Sequence, residues 1–217
     1  MDYATYYKDR DKKKVFGYRL RRRTYEAVRA IRKYKGKEVD AILDLGCAEG
    51  LMLKGIKKHV KAGKIIGVDY NIDLIRMRKG NKVPLVQGDA HAIPLRDGSV
   101  DVVVTTAVIE HVRKPLKVMK EIKRVLKKGG IVVLTSPNPF FDAIASGVGL
   151  LKDDTHEETF NLKRLVRLVE KSGLKTLEAR RFMISPWGMP KEIKVEKALR
   201  KMRLSFSMCN QLVVAKK

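Results

Sequence analysis

The feature that most constrains this chain is an apolar run that ends in a carboxylate and opens into a glycine-spaced turn. The run covers residues 39–44 and ends at Asp44, and the turn that follows reads Leu-Gly-Cys-Ala-Glu-Gly over residues 45–50. A second apolar run ends at Asp69, at about the spacing that a nucleotide-binding βαβ unit gives its ribose-binding acid. The two acids together predict a site for a nucleotide-like cofactor.

The spacing of the glycines selects among such cofactors. A dinucleotide fold uses the pattern G-x-G-x-x-G, so that a pyrophosphate can bind at a helix N-terminus. Here Glu49 stands where a phosphate would bind, and an anion would be repelled there. The turn therefore favours a ligand without phosphate that carries positive charge, such as the sulfonium and ammonium groups of S-adenosylmethionine.

Five motifs in order along the chain resemble those of the class I S-adenosylmethionine-dependent methyltransferases, in particular the type-11 branch that includes quinone-biosynthesis enzymes. The motifs lie at residues 44–50, 66–71, 86–95, 99–112 and 126–134. In the first motif the middle glycine of the family is replaced by alanine, which is a mild departure. Each motif alone is weakly specific, but their order over roughly residues 39–136 identifies the chain as a member of this family.

Short apolar strands alternate with amphipathic helices, which predicts an α/β fold with helices on both faces of a parallel sheet. We expect strands near residues 40–45, 64–69, 83–87, 100–106, 130–135, 175–184 and 205–215, and helices near residues 18–34, 49–60, 71–79, 114–127 and 161–172. The resemblance implies a Rossmann-like, mostly parallel seven-stranded sheet whose last strand runs antiparallel between the fifth and sixth. We predict a basic N-terminal arm and helix over residues 1–38 and a methyltransferase domain over residues 39–217.

The resemblance also implies roles for individual residues. Asp69 would accept hydrogen bonds from the ribose hydroxyls, and Asp89 with the Ala90 backbone would read adenine. Gly46 would let the backbone approach the methionine end, where Asp44 would orient the ammonium group. The set implied to bind S-adenosylmethionine is Asp44, Gly46, Cys47, Ala48, Gly50, Asp69, Tyr70, Asn71, Asp89, Ala90, Thr106 and Ala107.

The general base is less constrained, since an oxygen or carbon acceptor often needs a base near neutral pKa and a ring nitrogen needs none. The candidates are His111, His156 and Glu110. We expect Cys47 to be a small apolar filler and Trp187 to be simply packed in the protein. The apolar segment 140–151 is a candidate lid over the acceptor, with an ordinary packed helix as its alternative. The sequence shows no convincing cluster of metal ligands.

The formal net charge of +24 is concentrated at the two flanks. Residues 1–38 hold 14 Lys and Arg against 5 Asp and Glu, and residues 175–217 hold 11 against 3. Such flanks attract RNA, anionic lipid or acidic substrates, with a lysine-rich solvated surface as the alternative. For an RNA partner, the arginines at 21–23 would contact phosphates. No apolar stretch is long enough for a membrane span, and we expect a soluble, cytoplasmic protein.

Three functions compete. The first is methyl transfer to a small-molecule or lipid-like acceptor, which is typical of the branch that the chain resembles. The second is methylation of tRNA or rRNA, with the basic flanks holding the polynucleotide. The third is a non-catalytic nucleic-acid-binding protein that keeps the cofactor fold. The acceptor and the oligomeric state stay open, because fold alone does not decide function.

Overall fold

Seven strands form one mixed sheet in the computed structural model, which describes residues 14–78, 80, 82–141 and 158–217. Their order across the sheet is β3-β2-β1-β4-β5-β7-β6. The first strands pair in parallel, whereas β7 runs antiparallel to both β5 and β6. The predicted fold and the place of the last strand are therefore confirmed. The strands are β1 (Glu38–Leu45), β2 (Lys61–Asp69), β3 (Leu85–Gln87), β4 (Val100–Thr106), β5 (Leu126–Pro137), β6 (Lys175–Phe182) and β7 (Asn210–Lys216).

The helices connect these strands, and their buried residues recur at the three- and four-residue spacing of an amphipathic helix. In α4, for example, Val118, Met119, Ile122 and Val125 are buried. The described helices are α1 (Lys14–Tyr34), α2 (Leu51–Lys57), α3 (Ile72–Arg76), α4 (Pro115–Val125), α5 (Leu162–Lys171) and α6 (Glu192–Lys201). Two short 3-10 turns, Ile109–His111 and Ser205–Ser207, follow β4 and α6.

Two apolar cores lie on the two faces of the sheet. One is formed with α4 and α5 and includes Met119 and Leu165. The other is formed with α1 and α2 and includes Ile31 and Leu53. Helix α1 also buries Ala27 and other apolar residues against the sheet, so this part of the basic N-terminal region is integral to the packed structure.

Element bounds differ from the sequence predictions mainly where polar residues enter strands. Strand β2 begins three residues early, because Lys61 pairs with Glu38 of β1 in parallel register and their side chains form an ion pair of 2.8 Å. Strand β5 begins at Leu126, which we predicted as the end of a helix, because Leu126 pairs with Val100 of β4. Pairing with a neighbouring strand thus overrides the local pattern.

The region between β6 and β7 departs most from expectation. Its basic stretch contains α6, a helix that the sequence analysis did not predict; α6 buries Glu192 and Glu196, and Val195 and Met202 are exposed. Trp187 is 54% exposed, so the prediction that it is simply packed is wrong. The tyrosines of the first 13 residues and the apolar segment beyond Phe141 lie outside the described residues.

Candidate functional site

The predicted cofactor residues gather at one edge of the sheet. Strands β1, β2, β3 and β4 are parallel neighbours, so their carboxyl ends meet at the edge where such sheets bind ligands. The turn after β1 follows Leu45, and Asp69 and Thr106 end β2 and β4. Asp89 and Ala90 follow β3 closely.

The turn after β1 is anchored to β2 by two backbone hydrogen bonds. The N–H groups of Gly46 and Cys47 donate to the Val68 carbonyl at 2.8 and 3.2 Å. Gly46 has a φ of +78°, and a Cβ there would lie 2.2 Å from the Cγ2 atom of Val108. Glycine is therefore required at position 46 by the backbone conformation and by Val108, in addition to any approach of a ligand.

Ala48 also adopts the left-handed region, with a φ of +46°. This conformation favours glycine, which explains why the resembled family has glycine at the corresponding position. The Ala48 N–H donates to the Oδ2 atom of Asp69 at 2.7 Å. The turn then reaches Gly50, whose φ is +78° and which precedes α2.

Asp69 has a structural task that the sequence did not show. Its Oδ2 atom accepts from Ala48, and its Oδ1 atom accepts from the Asn71 N–H at 2.9 Å. A carboxylate has further lone pairs, so Asp69 can hold the turn and still accept from a ligand. Asn71 uses its side-chain oxygen to cap α3 through the Asp73 N–H. Tyr70, which lies between Asp69 and Asn71 in the sequence, is 76% exposed.

Asp44 is the most unusual acid of this edge. Its side chain is buried, with 2% exposure, and within the described residues no hydrogen bond or ion pair to its carboxylate is found. Burial and the negative charge of Asp69 raise the pKa of Asp44 to about 7. A buried carboxylate without a cation is costly, so this position suits the positively charged group of a ligand.

Asp89 forms a local pair that sequence reasoning missed. Its Oδ1 atom accepts from the backbone N–H of His91 at 2.8 Å and lies 2.7 Å from the Nδ1 atom of the same residue. These hydrogen bonds, the backbone one first, lower the pKa of Asp89. The signal was present as an Asp-x-His sequence, because aspartate commonly bonds to the backbone two residues later. His91 thus fixes the acid that we expect to read adenine.

Cys47 is buried and packs on β2. A Cβ on Gly67 would lie 2.6 Å from the Cys47 sulfur, so the thiol fills the space that this glycine leaves. Burial, followed by the charges of Asp44 and Asp69, raises the pKa of Cys47. The thiol is therefore protonated and unreactive at neutral pH, which agrees with the predicted role of an apolar filler.

The exit of β4 lies at the same edge of the sheet. The Thr106 side chain lies 3.8 Å from the Met52 sulfur, and Ala107 has a φ of +55°. Glu110 is buried, with 2% exposure, and lines a small cavity of about 10 Å³ together with Ser136 and Phe160, among others. His111 is exposed, and His156 lies outside the described residues. The roles of the two histidines as bases stay predictions.

The fold and this edge define the class of Rossmann-like methyltransferases. A family model described as a methyltransferase domain matches residues 43–134. The demethylmenaquinone methyltransferase of Lactobacillus johnsonii is 32% identical over 176 residues, which cover 67% of this chain and 72% of that protein. The chain belongs to the S-adenosylmethionine-dependent methyltransferase family, and the family and fold imply S-adenosylmethionine as the cofactor.

Solved structures show the same fold. A methyltransferase from Archaeoglobus fulgidus matches with a TM-score of 0.64 and 24% identity, over 89% of this chain and 94% of that chain. A Haloferax volcanii chain from a complex with the Trm112 methyltransferase activator also matches with a TM-score of 0.64, at 19% identity, over 88% and 87% of the two chains. At these identities the likeness concerns the fold alone.

The matched region is only part of several relatives. The chain spans 36%, 39% and 51% of the length of three further curated proteins that it matches. Among the described residues, no helix combines the length and the apolar character that crossing a bilayer would require.

Proposed function

We propose that this protein transfers a methyl group from S-adenosylmethionine to a small-molecule or lipid-like acceptor. The observation that carries the proposal is the buried carboxylate of Asp44, which has a raised pKa and no cation partner in the described structure. An ammonium group at this position would supply the missing positive charge. A phosphate would instead meet Asp44, Asp69 and Glu49 and would be repelled.

The remaining edge residues would orient the ligand. Asp69, already fixed by the Ala48 N–H, would accept hydrogen bonds from ribose hydroxyls, and exposed Tyr70 would cover the base beside it. Asp89, held by His91, would read the adenine amino group with the Ala90 backbone. The cofactor supplies an activated methyl group when bound, so the protein's main tasks are to hold donor and acceptor in line and to exclude water.

The nature of the acceptor is supported by two observations of different kinds. The relative from Lactobacillus johnsonii is named for an acceptor of the quinone type. In this chain, exposed Phe140 follows β5 at the same end of the sheet as the candidate site, and its ring packs on exposed Phe206. Apolar rings at the surface beside the site favour an acceptor with an apolar part.

Calorimetry of cofactor binding tests the cofactor site. Asp44→Asn should weaken binding of S-adenosylmethionine because it removes the charge that faces the ammonium group. Asp40→Asn is the matched control, since Asp40 lies on the same strand toward its other end and pairs with Lys127 at the surface. Equal affinity of the two variants would contradict the proposed site.

A transfer assay tests the acceptor. Tritium from methyl-labelled cofactor should enter the lipid or small-molecule fraction of a cell extract. Label in the RNA fraction would favour the second hypothesis, RNA methylation, which is supported by a surface cavity of about 440 Å³ lined by Lys37, Lys57, Lys58 and Lys61. Cofactor binding without transfer to any fraction would favour the third hypothesis, a non-catalytic nucleic-acid-binding protein.

The three arginines that we expected to contact RNA have different surroundings in the structure. Arg22 is buried and bonds to Glu26 and Glu196, and Arg23 bonds to the side chain of Asn210. Of the three, only Arg21 is exposed. A triple variant at these positions would disturb the fold itself, so RNA binding is better tested at the lysine-lined cavity.

A further inference from the structure

Helix α6 turns its acids inward. The Glu196 carboxylate accepts from Arg22 at 2.7 and 2.8 Å and from the Met183 N–H at 2.7 Å. The Glu192 carboxylate accepts from the Ile184 N–H at 2.8 Å. Both glutamates are less than 5% exposed. The negative charges of both glutamates are therefore buried and are not presented at the surface.

The charged side chains on the outward side of the same segment are all cationic. Glu192 and Glu196 are the only acids between residues 191 and 203, and five basic side chains of this segment are exposed. None of these five has an ion pair within the described part of the chain. They are Lys191, Lys194, Lys197, Lys201 and Arg203.

Exposed apolar side chains precede and follow this helix along the chain. Trp187 and Met189 precede α6 and are 54% and 41% exposed, and Met202 and Phe206 follow it and are 62% and 51% exposed. Phe140 packs edge-to-face on Phe206 with ring centroids 5.8 Å apart. We call the surface formed by the five cations, these five apolar side chains and Leu204 the α6 face.

We propose that the α6 face docks on an anionic lipid membrane surface. Tryptophan, phenylalanine, methionine and leucine insert at the boundary between headgroups and acyl chains, and neighbouring lysines bind anionic headgroups. A second copy of the chain is disfavoured, because its α6 face would bring five further positive charges. RNA could use the cations and the three aromatic rings of the face, but it would leave the exposed aliphatic side chains of Met189, Met202 and Leu204 without an apolar partner, and for this reason we favour a membrane.

Docking in this way would place the candidate site beside the membrane. Pro137, Asn210 and Phe182 pair across β5, β7 and β6, so the segments that leave β5 and β6 start at the carboxyl edge that also carries the site. Insofar as the proposed function holds, a lipid-like acceptor would reach the site without crossing water. The docking itself does not depend on methyl transfer.

Vesicle binding without cofactor tests the docking. Trp187 is the only tryptophan of the chain, so its fluorescence reports directly on the α6 face. Vesicles that contain phosphatidylglycerol should shift its emission to shorter wavelength, and pure phosphatidylcholine vesicles should not. Added salt should weaken the binding.

Charge removal locates the binding surface. Each lysine contributes about fivefold in affinity for an anionic membrane, so the variant Lys194→Gln/Lys197→Gln/Lys201→Gln should bind about a hundredfold more weakly. The variant Lys57→Gln/Lys58→Gln/Lys61→Gln removes the same charge at the lysine-lined cavity and should bind like the natural protein. All six lysines are exposed, so both variants should keep the fold, which circular dichroism checks.

Three results would overturn the proposal. They are no binding to phosphatidylglycerol vesicles, equal binding to phosphatidylcholine, and greater loss in the Lys57/Lys58/Lys61 variant than in the α6 variant. Quenching of Trp187 by RNA at concentrations where vesicles have no effect would assign the face to nucleic acid. Because the assay contains no cofactor, its failure leaves the proposed methyl transfer standing, and failed transfer leaves the docking standing.

Discussion

Two regions of the molecule bury carboxylates in opposite ways. At the candidate site, Asp44 is buried without a cation, and burial raises its pKa to about 7. Between α1, β6 and α6, Glu26 is equally buried but is bonded to Arg22, Arg29 and Arg180. Burial alone would raise the pKa of Glu26, but Arg180 and Arg22 outweigh it and lower the pKa.

The difference separates two uses of a buried charge. In the ion-pair cluster every carboxylate has a cationic partner within the protein. The cluster therefore needs no ligand charge, and it holds α1 to β6 and α6. At the site the counter-charge is missing from the described structure, which leaves Asp44 in an unfavourable state that a cationic ligand would relieve. A perturbed acid that lacks a partner is a candidate functional group, which supports the proposed site at Asp44.

The largest effect is expected from breaking the cluster. Arg22→Ala would leave Glu26 with Arg29 and Arg180, and Glu196 with Arg200 at 3.3 Å as its remaining cation. Loss of one partner of a buried pair costs about 3–5 kcal/mol. Chemical denaturation should show a loss of this size in the free energy of unfolding. Arg21→Ala, at the neighbouring exposed position, should change it by less than about 0.5 kcal/mol. Similar losses in both variants would mean that the cluster is not what joins α1 to α6.

The next effect is expected from neutralising the site. Asp44→Asn should weaken binding of S-adenosylmethionine by about 1.5–3 kcal/mol, the value of a hydrogen bond to a charged group. The same variant should stabilise the ligand-free protein at pH 8, where the natural protein keeps a buried charge. Calorimetry measures the loss of cofactor affinity, and thermal denaturation measures the gain in stability of the ligand-free protein. A variant that is destabilised and binds normally would remove Asp44 from the site.

The acids of the two regions should make the free energy of unfolding depend on pH with opposite signs. The pKa of Asp44 is about 7 in the folded protein and 3.8 in its ordinary state, so the unfolded chain releases this proton first. The stability of the ligand-free protein should therefore fall by about 1.4 kcal/mol per pH unit over this window and level off above pH 7. Cofactor affinity should instead rise with pH and level off near pH 7, because binding favours the charged carboxylate.

Paired Glu178 should behave in the opposite way. Burial alone would raise its pKa, but hydrogen bonds from Arg29, Arg180 and Lys33 lower it. Its stabilising contribution is present above its ordinary pKa of 4.5 and is lost only as the pH falls through the lowered value.

The Asp44→Asn variant tests the assignment of the pH dependence to Asp44. Its free energy of unfolding should be nearly constant from pH 5 to 7. A persistent slope would assign the titration to another group.

The smallest effect is expected in the turn of the site. Ala48→Gly should raise the free energy of unfolding slightly, by up to about 1 kcal/mol, because glycine adopts a φ of +46° without strain. Cofactor affinity should stay the same, since only the Ala48 N–H takes part in holding Asp69. A clear loss of affinity would show that the methyl group of Ala48 contacts the ligand.

The sequence predicted that the candidate site residues meet at one edge of the sheet, because the signals are local. An apolar strand, its final acid and the glycines of the next turn lie within twelve residues, and the parallel order of the strands brings the ends together. The ion-pair cluster could not be predicted, because Arg22 and Glu196 are 174 residues apart and no local period shows which charges pair. For the same reason the sequence did not show that Arg22 and Arg23 are bonded within the protein, or that α6 buries its two glutamates.

The cluster between α1 and α6 also has a consequence for biosynthesis. Arg22 leaves the ribosome 174 residues before its partner Glu196, and Glu26 is made long before Arg180, with which it also bonds. While the sheet is still being synthesised, the charges of Arg22, Glu26 and Arg29 can therefore pair only with one another within α1. Nascent chains should dock α1 only late in translation, and a chaperone that shields this helix would have its longest opportunity before β6 emerges.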